Sequence, residues 1–118
     1  MNKVMMFVFG VLLMFTSSCV QQETIDCSVA SDLDACYLEK AILDKNLDEC
    51  DNIESVESKD SCYAAMAEVG NNIEVCHTIS DESISMLCYT NLAMKNSDSS
   101  ICDEIVDTQG REDCLSLF

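Results

Sequence analysis

The side chains of this sequence with the most chemistry to offer are nine cysteines, a single histidine, His77, and 22 aspartates and glutamates. Eight of the cysteines stand at positions 27, 36, 50, 62, 76, 88, 102 and 114, separated by 9, 14, 12, 14, 12, 14 and 12 residues. Thiols can hold a metal, exchange electrons or cross-link the chain, and the spacing discriminates among these uses. Zinc sites and thioredoxin-like redox sites use close Cys-x-x-Cys pairs. Here the nearest two, Cys19 and Cys27, lie eight residues apart. Cross-linking is the expected use. If each bond joins sequence neighbours and all eight cysteines take part, the pairs are Cys27 with Cys36, Cys50 with Cys62, Cys76 with Cys88, and Cys102 with Cys114. The shifted scheme would strand Cys27 and Cys114 at opposite ends. A loop of this size contributes roughly 3 kcal/mol by restricting the unfolded chain.

His77 follows Cys76 directly, and spacing identifies no nucleophile for it to activate, so no catalytic residue is expected. No glycine-rich phosphate loop or nucleotide fingerprint is present, and no cofactor is expected. The best carboxylate clusters for calcium are Asp48-Glu49-Asp51-Asn52 and Asp103-Glu104-Asp107, but both lack the glycine and terminal glutamate of an EF-hand loop. A net charge of −16, with six lysines and arginines, excludes a nucleic-acid binder that relies on basic contacts.

The elements that must position these cysteines follow from a period of 26 residues. Residues 46–71, 72–97 and 98–118 align on it, and residues 23–45 are a copy shortened by three between its cysteines. Asn46, Asn72 and Asp98 each stand four before a first cysteine, and Ile53, Ile79 and Ile105 three after one. Tyr37, Tyr63 and Tyr89 follow a second cysteine, with Ala41, Ala67 and Ala93 four residues later. Such self-similarity marks units that bury one another's faces.

Within a unit, Leu47, Cys50 and Ile53 recur every three residues, as a helical stripe that Asn46 would cap. Cys62, Met66 and Val69 form a second stripe, with Gly70-Asn71 as its stop. Ser31 and Ser80 are the expected caps of the second arms, with Ser31 and Asp34 spaced as a capping box. The expected fold is all-α: short disulfide-stapled helical hairpins, with arms of two to three turns, stacked as a small solenoid. With no proline and no tryptophan, and with Tyr37, Tyr63, Tyr89 and Phe118 as the aromatics after residue 22, this domain needs cross-links to fold.

The first eighteen residues are of another kind. Lys3 gives a positive start, Val4 to Phe15 is an uncharged apolar run, and Thr16, Ser17 and Ser18 precede Cys19. Twelve residues of helix span about 18 Å, short of a bilayer core of roughly 30 Å, so the run fits a signal peptide better than a membrane span. The segment Thr16-Ser17-Ser18-Cys19 resembles the lipobox of prokaryotic lipoproteins. That resemblance implies cleavage before Cys19 and lipid on its sulfur. The other reading is an ordinary secretory signal cut nearby, leaving Cys19 free or in a disulfide.

The expected organisation is therefore a signal peptide at 1–18, a lipid-anchored tether at 19–22 and a four-unit repeat domain at 23–118. Loss of residues 1–18 removes Lys3 and no acid, making the rest one unit more negative than the whole chain. The function expected is that of an exported envelope lipoprotein, not an enzyme. It would be held to the lipid membrane through Cys19 and would bind an envelope protein or polymer. A small secreted inhibitor or immunity-type factor is the alternative.

Overall fold

The computed structural model describes residues 25–118; the signal-peptide segment and Cys19 lie outside the described residues. Those described are all-helical, with no strand among them. A short 3-10 segment is followed by an α-helix four times over. The pairs are η1 (Cys27–Val29) with α1 (Leu33–Asp44), η2 (Leu47–Asn52) with α2 (Val56–Gly70), η3 (Ile73–Thr78) with α3 (Glu82–Asn96), and η4 (Ser99–Glu104) with α4 (Thr108–Leu115).

The two arms of a unit differ in helix type, the first being 3-10 and the second α. A residue repeated every third position stays on one face when a turn takes three residues, so Leu47, Cys50 and Ile53 suit a 3-10 helix better than an α-helix. Cys50 and Ile53 are both buried on that face. The two central second arms are longer than expected: α2 and α3 have 15 residues each, about four turns, whereas α1 with 12 and α4 with 8 residues match the expected two to three turns.

Capping explains where each element starts. Asn46, Asn72 and Asp98 open η2, η3 and η4, accepting from the backbone N–H of Asp48, Glu74 and Ser100 at 3.2, 3.1 and 3.0 Å. The expected caps at Ser31 and Ser80 are displaced by one residue. Asp32 opens α1 and Asp81 opens α3, each accepting at 3.0 Å from the N–H of Ala35 and Ile84. An aspartate is the stronger cap here because its charge also meets the positive end of the helix dipole. Asp34 completes no capping box with Ser31; it bonds into the next unit instead.

The helices end as economically as they start. Lys45, Asn71 and Ser97 take left-handed φ values of 52°, 50° and 52°, and the N–H of the following residue returns to the carbonyl of Ala41, Ala67 or Ala93. This is the Schellman ending, which satisfies carbonyls left open at a helix terminus. The left-handed residue of the Gly70-Asn71 stop is Asn71, not the glycine. The alanines are fully buried where the chain turns back, and a larger side chain would have no room.

The core is a ladder in which Cys27–Cys36, Cys50–Cys62, Cys76–Cys88 and Cys102–Cys114 each bond a 3-10 segment to its own α-helix. Ile53, Ile79 and Ile105 are buried beside them. Leu47 and Tyr63 touch both the cluster around Cys50–Cys62 and the one around Cys76–Cys88 and Cys102–Cys114, making the apolar interior continuous.

Candidate functional site

All eight repeat cysteines are consumed in the four bonds, and seven are buried, Cys36 being half-buried. Four disulfides belong to an oxidising compartment. Among the described residues no helix is long and apolar enough to cross a membrane.

Three of the carboxylates singled out for calcium, Glu49, Asp51 and Asp107, are drawn into hydrogen bonds or ion pairs of their own. Glu49 pairs with Lys40 and accepts from Asn52. Asp51 accepts from the Tyr63 hydroxyl, and Asp107 caps α4 through the N–H of Gly110 at 2.6 Å. Among the described residues no three His, Cys, Asp or Glu side chains are grouped to hold a metal ion.

His77 is half-exposed on η3. Its Nδ1 lies 2.7 Å from the Tyr89 hydroxyl, and its Nε2 lies 3.9 Å from carboxylate oxygens of both Glu74 and Glu104. Burial, followed by the charges of Glu104 and Glu74, pushes the Tyr89 phenol above its ordinary pKa. A phenol held protonated is a poor nucleophile, so the pair offers no activated attacking group. The same contact occurs one unit earlier between Asp51 and Tyr63. In both units the residue after the first cysteine meets the tyrosine after the second, and His77 occupies an aspartate's place.

The Asp51 hydrogen bond, reinforced by burial and by the charges of Asp51, Asp60 and Asp48, pushes Tyr63 up to about 12. The folded-state value is the higher. The stabilisation is therefore full below the ordinary tyrosine value of 10.0 and is lost as pH rises towards about 12. Ultraviolet titration is expected to show one tyrosine ionising near pH 12, and Asp51→Asn should lower it.

The junctions between units carry the contacts that sequence reasoning missed. Asp34 on α1 accepts from the N–H groups of Glu54 and Ser55 at 2.9 and 3.1 Å. Asp60 on α2 accepts from Ser80 N–H at 3.1 Å and from Asp81 N–H at 2.8 Å, with only 2% of its surface exposed. Each carboxylate thus fixes the turn that enters the next α-helix. Both stand two residues before a second cysteine, and that register was the signal available in the sequence.

At the third junction the register holds Met86, and a different device serves. Gly110 leaves room for Met86 across the junction, while within the last unit the Arg111 guanidinium donates twice to the Ile105 carbonyl, at 3.0 and 2.8 Å. A Cβ on Gly110 would overlap Met86 Sδ and stand 3.2 Å from Asp107 Oδ2. Gly110→Ala is accordingly expected to destabilise by about 1–2 kcal/mol in urea unfolding, despite alanine's better helix propensity. The double variant Gly110→Ala/Met86→Ala should remove that overlap.

Beside each junction a cleft opens at the N-terminal ends of consecutive α-helices. The cleft between α1 and α2 has a volume of about 280 Å³, that between α2 and α3 about 620 Å³, and that between α3 and α4 about 220 Å³. No family model, curated protein or solved structure matches this chain. Carboxylates and short apolar side chains line these clefts, and no lysine or arginine does. That lining gives each cleft a negative rim.

Proposed function

We propose that the chain is an exported lipoprotein anchored at the extracytoplasmic face of a membrane through Cys19. Its acidic helical units, stacked as a small solenoid on the 26-residue repeat, bind a protein or polymer of the cell envelope. The observation that carries this reading is the complete pairing of the eight repeat cysteines. It leaves Cys19, which ends the lipobox-like segment, as the ninth cysteine for a thioether. Two or three acyl chains would anchor the protein stably where one would bind only reversibly. The acidic exterior and the clefts at the unit junctions support binding rather than catalysis. Metabolic labelling with a radioactive fatty acid is expected to mark the wild-type chain and not Cys19→Ala. Wild type that carries no label overturns the anchored reading in favour of a released factor.

A further inference from the structure

The three clefts share one construction. Each has an apolar floor, provided by half-buried Leu38 in the first, Ile84 in the second and Met86 in the third. Each carries acids without a compensating cation. Glu57 lines the first two, Glu82 lines the third, and neither is engaged by a hydrogen bond or ion pair within the described residues. The basic side chains nearest in sequence point elsewhere: Lys40 to Glu49, Lys59 to the Asp51 carbonyl, Lys95 to the Glu68 carbonyl and Arg111 to the Ile105 carbonyl. An apolar floor beneath a negative rim matches a long basic side chain, whose methylenes lie on apolar surface while its charged head stays hydrated.

We infer that the clefts form one docking surface for an extended, basic segment of a partner protein, placing one lysine or arginine side chain in each cleft. The inference rests on the binding role given above and names the chemistry of the partner. Packed helices lie about 8–10 Å apart, which sets the step from cleft to cleft. A peptide in the extended polyproline II conformation advances about 3.1 Å per residue with three residues per turn, so every third side chain returns to the same face about one step further on. The fitting segment has a basic residue at every third position. Charge gathers the partner, and the spacing selects it.

The test uses the full-length oxidised chain in detergent micelles and two fluorescein-labelled peptides of identical composition. One carries arginine at every third residue and the other carries its arginines consecutively. Fluorescence anisotropy is expected to give the spaced peptide about tenfold tighter binding, a difference of about 1.4 kcal/mol. Glu57→Gln/Glu82→Gln should weaken the spaced peptide about tenfold, whereas Glu39→Gln/Glu112→Gln, an equal charge change outside the clefts, should alter it less than about threefold. Circular dichroism checks that both double variants keep the helical fold. Equal affinity for the two peptides, equal effects of the two double variants, or no binding would each overturn the docking surface. The fatty-acid label is indifferent to all of these, so lipid anchoring succeeds or fails separately.

Discussion

In dithiothreitol the protein is expected to lose most of its helical circular dichroism at room temperature and to regain it on reoxidation. The four disulfides close loops of 9, 12, 12 and 12 residues. Each such loop contributes roughly 3 kcal/mol by restricting the unfolded chain. A typical domain's whole net stability is about 5–15 kcal/mol, the same size as the four contributions together. Little else is available to compensate. The longest helices have 15 residues, at the edge of what persists alone in water, and Phe118 is an exposed aromatic. Removing one bond discriminates further. Cys76→Ser/Cys88→Ser should cost more than Cys27→Ser/Cys36→Ser, because Cys76 and Cys88 are both buried at the centre of the ladder whereas Cys36 is half-buried. An unfolding midpoint in urea that is the same with and without reductant would contradict the cross-linked core.

Asp60→Ala is expected to be the most damaging single substitution outside the cysteines, at about 3 kcal/mol in urea unfolding. The carboxylate accepts from two backbone N–H groups, those of Ser80 and Asp81, and is almost wholly covered. Alanine leaves both donors without an acceptor where water has poor access, and hydrogen bonds to a charged group are the costlier ones to lose. Asp60→Asn keeps one oxygen and should lose about half as much. Asp34→Ala removes the same kind of contact from a half-exposed site, where water can replace the carboxylate, and should cost about 1 kcal/mol. Equal effects at Asp60 and Asp34 would show that burial is not what gives the contact its weight.

Legibility in the sequence followed the range of the interaction. The caps at Asn46 and Asn72 act on an N–H two residues away, and they were readable directly. So was the helical nature of both arms. The type of the first arm was not, because a spacing of three also occurs along an α-helical stripe. The hydrogen bonds to the carbonyl three residues back, from Ile53 to Cys50, Ile79 to Cys76 and Ile105 to Cys102, decide for the tighter helix. Ser31 and Ser80 were misread as caps because an aspartate follows each, and residue type alone cannot say which of two neighbours turns its oxygen inward. Asp34 and Asp60 escaped notice for a further reason. Their partners are backbone amides 20 and 21 residues away, and a backbone amide leaves no signature in the residue types. The clefts inherit that invisibility, since α-helices of successive units must pack before Glu57 can border two of them.

The placement of the covalent bonds governs how the chain would respond to tension. Every disulfide closes within a unit and none crosses a junction, where the hydrogen bonds of Asp34 and Asp60 and the packing of apolar side chains hold without a covalent bond. A pull on the two ends bypasses the residues inside each closed loop. It is borne instead by the stretches from Cys36 to Cys50, Cys62 to Cys76 and Cys88 to Cys102. Fully drawn out, each of these three reaches roughly 50 Å, at about 3.3–3.6 Å per residue. The molecule is thus a chain of inextensible links with a yielding hinge between each pair, able to lengthen in three steps while every staple stays closed.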